Sequence, residues 1–319
     1  MKKIINLIKN KKFQLAIFIA LLFVLIVITV LVRPVGRGED KLVKIEKGWG
    51  SGEVAQELKS NGLIKSKWFF VFYVWARGYS NHLQAGEYLL SPKMGFFEIA
   101  KIIAKGEISE NIVKVTIPEG WTVKQINERL ISTGVINAED KISQNEEGYL
   151  FPDTYYFYEN SSANDIIKKM KDNFDGKITE EMKGEIKKHN KTLEEIMIMA
   201  SILEKEVKSD EDRAIVSGIF WTRIENKMPL QADITIAYIL GIDKWRYSYE
   251  DTRIKSPYNT YMNLGLPPTP IDNPGLSAIK AAIYPQYTDY VYFLSASDGT
   301  TIYAKTLDEH NVNKLRYLK

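Results

Sequence analysis

Between Leu15 and Val32 the chain carries eighteen consecutive residues, LAIFIALLFVLIVITVLV, with no charge and a single hydroxyl at Thr29. Counted from Phe13, the run is long enough as a helix to cross about 30 Å of hydrocarbon. Lys2, Lys3, Lys9, Lys11 and Lys12 precede it, whereas Arg33, Arg37 and Lys41 follow it diluted by Glu39 and Asp40. That asymmetry predicts a cytoplasmic tail over 1–12, a transmembrane helix over 13–32 and a body outside a cell membrane that the chain crosses once. A cleaved signal peptide fits less well, because its apolar stretch is shorter and no Ala-x-Ala site follows. Residues 33–41, R-P-V-G-R-G-E-D-K, read as a linker.

The net charge of +3 hides an uneven distribution. Residues 1–41 hold 8 Lys/Arg and 2 acids, out of 43 and 40 in the whole chain, so the body after residue 41 is weakly acidic. Nucleic-acid binding is therefore not expected, since it draws its affinity from many cationic contacts to phosphate. There is no cysteine, which excludes disulfides, thiolate metal sites and cysteine nucleophiles. His82, His189 and His310 are far apart and form no metal-ligand pairing. No G-x-S-x-G elbow, Walker loop or G-x-G-x-x-G occurs, and Ser297-Asp298-Gly299 reads as a turn.

Two stretches match at an offset of 72 residues. Val43 to Trp49 runs on to Gly62-Leu63-Ile64, and Val115 to Trp121 runs on to Gly134-Val135-Ile136. Each predicts a strand, a glycine turn and a helix, with apolar positions Val54, Ala55 and Leu58 or Val123, Ile126 and Leu130, stopped by Gly62 or Gly134. Two copies make a duplicated local architecture and not a solenoid. Between them lie an aromatic helix, Trp68 to Arg77, a strand, Leu83 to Leu90, and a helix, Phe97 to Ala104. Together these predict a small α+β module over 42–112.

From about Glu147 onward the pattern is mainly helical: Asp165 to Phe174 before an Asp175-Gly176 turn, Glu180 to His189, Leu193 to Val207, Glu211 to Glu225 and Ile234 to Leu240. A late hairpin, Tyr290 to Leu294 with Thr301 to Lys305 around Asp298-Gly299, adds a small sheet. The expected fold class is α+β: a transmembrane helix, the small module, and a mainly helical domain over 113–319 with a small β-sheet.

Carboxylate chemistry remains, and one helix offers a candidate. Thr192 and Glu195 form a T-x-x-E capping box. At about 100° per residue Leu193, Ile196, Met197, Ala200, Leu203 and Val207 share one arc, and Glu204 falls in its middle. An apolar setting raises a carboxyl pKa toward neutrality, as a general acid for glycoside cleavage requires. A buried Glu204 paired with a cation such as Arg213 is the structural alternative.

Several ordered motifs then resemble the YceG-like endolytic murein transglycosylases. Glu147-Gly-Tyr-Leu-Phe-Pro-Asp-Thr-Tyr155 is similar to E-G-x-x-x-P-D-T-Y, and Ala200-Ser-Ile-Leu-Glu-Lys-Glu206 to A-S-I-x-E-K-E. Ser256 to Tyr261 with Gly265 to Pro268 is similar to S-P-Y-N-T-Y and G-L-P-P, and Val115 to Trp121 to the opening of the catalytic part. Where the family reads L-Q-S/T-D-P-T, this chain has Leu230-Gln-Ala-Asp-Ile-Thr235, with Asp233 the expected helix N-cap.

The resemblance implies a LysM-like module over 42–112 and a transglycosylase domain over 113–319. It implies cleavage between N-acetylmuramic acid and N-acetylglucosamine inside peptidoglycan strands, with a 1,6-anhydro product and an end to nascent strand elongation. Glu204 becomes the catalytic acid/base, with substrate contacts at Gln231, Tyr258, Asn259, Thr260 and Tyr261 and no metal or cofactor. The 256–261 loop has a second reading, as a brace for the Glu204 helix. Asp153 and Asp233 are left without a catalytic role. The partners would be peptidoglycan glycan strands, the membrane through one helix, and peptidoglycan synthases or division proteins. The functional alternative is a non-catalytic peptidoglycan-binding or division-scaffold protein, and ordinary hydrolysis by water would leave reducing muramic ends instead.

Overall fold

The computed structural model describes residues 29–36, 38, 40–106, 111–207, 209–242, 244, 247–296 and 299–318, with Leu15, Phe18, Ile19 and Leu22. The chain divides into two compact units, Met1–Ile112 and Val113–Lys319.

In the first unit the order is β1 (Lys41–Ile45), α1 (Ser51–Ser60), α2 (Lys67–Ala76), β2 (Gly86–Leu90) and α3 (Phe96–Lys105). β1 and β2 pair antiparallel with Val43 opposite Tyr88. Their inward residues Val43, Ile45, Tyr88 and Leu90 close on Val54, Leu58, Phe70, Val74, Ile99 and Ile103, all nearly or fully removed from water. Each such side chain contributes about 1.5–3 kcal/mol of burial free energy. α2 is apolar on every side: Phe70 and Val74 are buried in this core, Phe69, Val71 and Tyr73 pack partly buried against it, and Trp68, Phe72 and Trp75 stay exposed.

The expected transmembrane helix over 13–32 is corrected here. No helix among the described residues is long and apolar enough to cross a membrane, and the tail 1–12 and most of 13–32 lie outside the described residues. The helical turn ending at Val32 stops at Arg33-Pro34, where proline lacks the N–H that would continue it.

The second unit begins with β3 (Ile112–Thr116), α4 (Val123–Ser132), β4 (Thr154–Tyr158) and α5 (Ala163–Lys177). β3 pairs with β4, and Val115, Ile117, Ile126, Leu130, Phe157, Ile166 and Met170 form their core. α5 runs through Asp175-Gly176, which the sequence suggested as a turn, because Phe174 and Ile178 are both drawn into buried packing.

A second core is centred on α7 (Leu193–Glu206), with α6 (Glu180–Lys188) before it and α8 (Asp210–Glu225) after it. The unit is completed by α9 (Asp233–Leu240), α10 (Leu276–Ile283), the hairpin β5 (Tyr292–Ser295) and β6 (Thr301–Ala304), and α11 (Leu307–Tyr317). β5 and β6 pair antiparallel with Phe293 opposite Tyr303. Asp298 of the expected turn lies outside the described residues. The small sheet expected for this domain is two separate two-stranded ribbons, since β3–β4 and β5–β6 share no edge. α10 and α11 were not anticipated: α10 is an Ala/Ile run only eight residues long, and α11 is mostly polar.

Candidate active site

The T-x-x-E box forms at the start of α7. The Thr192 N–H donates to Glu195 Oε2 at 2.7 Å, and the Glu195 N–H donates to Thr192 Oγ1 at 3.1 Å. α7 then lies between α10 and α8, so every residue from Ile196 to Leu203 is buried. Glu204 follows directly and inherits that setting, with only 8% of its side chain exposed.

Glu204 meets the N-terminus of α10. The N–H of Gly275, its cap residue, donates to Glu204 Oε2 at 2.8 Å. Arg213 Nη2 stands 3.6 Å from Oε1, too far for a hydrogen bond. The same guanidinium is engaged elsewhere, donating to Ser277 Oγ at 2.6 Å and to the Val207 carbonyl at 3.2 Å. Burial lifts the Glu204 pKa above the usual carboxylate range, the Gly275 N–H and Arg213 oppose that, and Glu119 adds to it. Arg213 stands within ion-pair distance, yet desolvation outweighs it in setting the direction of the shift.

Gly120 explains how the site stays tight. Its φ is +71°, and a Cβ there would fall 2.9 Å from Lys205 Cε and 3.2 Å from Glu204 Cγ. Gly120, Lys205, Ile271, Asp272, Tyr258, Gln144, Thr122 and Tyr238 are among the residues around a cavity of about 700 Å³. Glu204 is not itself in that lining, but three of its neighbours, Gly120, Lys205 and Asp272, are.

Asn273 ties three segments to this wall. Its Oδ1 accepts from the N–H groups of Gly148 and Leu150 at 3.0 and 2.9 Å, while its Nδ2 donates to the Trp121 carbonyl and to Glu147 Oε1, both at 2.9 Å. Glu147 also accepts the Val123 N–H at the start of α4 and the Gln144 amide. Burial nevertheless pushes its pKa up to about 7.

The other expected site residues separate into two groups. Tyr258 lines the cavity, with its hydroxyl 2.7 Å from Thr269 Oγ1 and its ring 5.0 Å from that of Tyr238. Gln231 is exposed, held at φ +50° with its N–H on the Thr260 carbonyl. Asn259 and Thr260 are buried and spent on the protein. Asn259 donates to the carbonyls of Thr252 and Ile254 and accepts from Tyr261 N–H, and Thr260 Oγ1 accepts from Ala232 N–H. Both brace the loop. The Tyr261 hydroxyl donates to Asp233, whose expected N-cap role passes to Ala232; Asp233 occupies the first helical position, where an anion still suits the helix dipole.

The segment from Pro267 to Gly275 carries Asp272, Asn273 and the Gly275 donor, none of which sequence reasoning singled out. Its four prolines, at 267, 268, 270 and 274, were the available signal for a stiff, positioned segment.

Residues 43–316 match the YceG-like family. This chain belongs to that family. It is 36% identical over 320 residues to the endolytic murein transglycosylase of Bacillus subtilis strain 168, covering 90% of this chain and 88% of that protein. It is 31% identical to the endolytic murein transglycosylase of Streptococcus pneumoniae, covering 88% of this chain and 59% of that longer protein. A crystal structure of a yceG-like protein from Listeria monocytogenes superposes with a TM-score of 0.56 at 32% identity, covering 86% of this chain and 99% of that one.

Proposed function

We infer that this chain is an endolytic murein transglycosylase, a lyase that cuts peptidoglycan glycan strands internally and so works at the cell envelope. The observation that carries the reading for this chain is a buried carboxyl whose pKa burial raises, next to residues that line a cavity large enough for sugar rings.

Glu204 is the acid/base of this reading. In its neutral form it gives its proton to the oxygen bridging N-acetylmuramic acid and N-acetylglucosamine as that bond breaks. As a carboxylate it then takes the proton of the muramyl C6 hydroxyl, whose oxygen closes on C1 to give the 1,6-anhydro sugar. The nucleophile belongs to the substrate and has a high effective concentration, so no second carboxylate is needed to activate water. The Gly275 N–H on Oε2 favours the ionised state formed midway. Tyr258 supports sugar binding as an aromatic cavity wall, and Gln231 and Tyr261 are its polar neighbours in the same loop pair.

We assign cleavage to Val113–Lys319 and holding of the glycan to the first unit. The β-α-α-β order of that unit and the exposed row Trp68, Phe72 and Trp75 support a LysM-like role, since aromatic faces stack on sugars.

Digestion of isolated sacculi tests the whole reading. Wild-type protein is expected to release fragments ending in 1,6-anhydromuramic acid by mass spectrometry, and Glu204→Gln to lose at least about 100-fold in rate. Reducing muramic ends, or an unimpaired Glu204→Gln, would sink it.

A further inference from the structure

Lys205 follows the acid directly in sequence and has no role in the chemistry above. It is exposed, it lines the cavity with Gly120 and Tyr258, and no hydrogen bond or ion pair holds its ammonium among the described residues. Its head is nevertheless positioned. A Cβ on Gly120 would fall 2.9 Å from Lys205 Cε and 3.0 Å from Nζ, so the bare glycine is what makes room for the ammonium. The same glycine backs onto Glu204 Cγ, and its N–H is fixed on the Asn273 carbonyl at 2.9 Å. The lysine is laid along a braced piece of backbone beside the acid.

The charges around it leave it uncancelled. Glu204 and Asp272 face it, yet burial pushes both carboxyls up toward the neutral acid, and Lys205 opposes those shifts without reversing either. Arg213, the other cation at Glu204, donates to Ser277 and to the Val207 carbonyl. Glu119 is an exposed acid that acts on Glu204 but does not line the cavity. Lys124 and Glu128, also in the lining, stand four residues apart on α4 with opposite charges. The cavity therefore presents a positive point next to the acid, and the ligand chemistry that answers it is an anion.

We propose that Lys205 is a substrate-contacting residue that binds the carboxylate carried on the lactyl arm of muramic acid, so that the cavity selects muramyl glycan over glycan built of N-acetylglucosamine alone. N-acetylmuramic acid differs from N-acetylglucosamine in that lactyl ether at C3, and C3 belongs to the same ring as the C1 that reacts. A cation one residue along from the acid is suited to hold the arm while the bond at C1 is protonated. On a bare strand the lactyl carboxylate is itself the anion. On a strand with stem peptides the lactyl group is an amide, and the carboxylates belong to the peptide. This rests on the transglycosylase reading, because it is that reading which places a muramyl sugar in the cavity.

The test uses the full chain. Calorimetry measures glycan binding to Glu204→Gln and to Glu204→Gln with Lys205→Met. The glycans are a tetrasaccharide of alternating N-acetylglucosamine and N-acetylmuramic acid with free lactyl carboxylates, the same tetrasaccharide bearing stem peptides, and chitotetraose, which has no carboxylate. Lys205→Met is expected to weaken binding of a muramyl tetrasaccharide about 10-fold or more, as loss of a charge-assisted contact does, and to leave chitotetraose within about twofold. A loss on the free-lactyl form identifies the lactyl carboxylate as the partner, and a loss confined to the peptide-bearing form identifies a stem-peptide carboxylate. Equal losses on chitotetraose and the muramyl glycans would mean that the lysine only supports the cavity wall, and no loss on any of them that it stays in solvent; either overturns the proposal. With Glu204 intact, Lys205→Met should raise KM on glycan strands to match, and a KM within about twofold of wild type overturns it too. If Lys205→Met lowers Tm by more than about 5 °C, Lys205→Gln is judged by the same criteria. Absence of anhydro ends from the wild-type protein would count against the enzyme reading instead, whereas the muramyl preference is read from binding alone.

Discussion

Glu204 shows how one side chain's chemistry depends on a contest of magnitudes. Loss of hydration raises its pKa, and a guanidinium 3.6 Å away lowers it without reversing the shift. Replacing Arg213 with Met should therefore raise the Glu204 pKa further and move the alkaline limb of the kcat/KM profile to higher pH. An unmoved limb would show that Arg213 does not bias this carboxyl. Two other buried groups set how stability follows pH. Glu147 titrates near 7 instead of 4.5, so its contribution is full below pH 4.5 and lost as pH rises through 7. His310, 9% exposed and stacked on Tyr292, titrates near 4 instead of 6.5, so its contribution is full above pH 6.5 and lost as pH falls through 4. Each is on the order of 3 kcal/mol. They oppose one another between, and urea unfolding should find a plateau flanked by two declines. His310→Gln should flatten the acid decline relative to wild type; parallel curves for the two proteins would refute the assignment.

Helices and segments add what no single residue supplies. The cap at Thr192, the apolar period of α7 and the position of Glu204 on it were legible in the chain, because all three follow from local helix geometry. What covers α7 was not legible. α10, which presents Gly275 to Glu204, is too short and too uniformly apolar to announce itself, and its cap has no side chain. The approach of α8 to the segment after α10 is equally non-local. A Cβ on Gly218 would lie 2.2 Å from the carbonyl oxygen of Gln286, whose N–H is bound to the Ala214 carbonyl at 2.9 Å. Gly218→Ala thus cannot be relieved by a side-chain rotation. It should cost about 2–3 kcal/mol, or roughly 4–12 °C in Tm for a unit of this size, as calorimetry can measure. A Tm within about 1 °C of wild type would mean the two backbones separate easily.

The molecule as a whole is two units with separate cores: no residue of the first unit's core belongs to the two cores of the second. A fragment spanning 111–319 should fold cooperatively and release anhydromuramyl ends from sacculi, with any loss confined to KM. Failure of that fragment to fold in circular dichroism would show that the division is not energetic. The strand and helix in each copy of the repeat at offset 72, β1 with α1 and β3 with α4, were legible because they are local properties of the chain. So was the apolar setting of Glu204, which depends only on helical phase. At the N-terminus expectation and structure part: no helix among the described residues is long and apolar enough to cross a membrane. Asn259 and Thr260 mark a second divergence: an amide and a hydroxyl suited to a sugar were taken up by the protein's own carbonyls and N–H groups. Asp272, Asn273 and Gly275 came to the site only when a proline-rich segment was laid across α7 by contacts about 70 residues apart in sequence. Periodicity and capping are energies between neighbours along the chain and can be read there; which buried donor meets which acceptor is decided by packing, and only the folded molecule carries it.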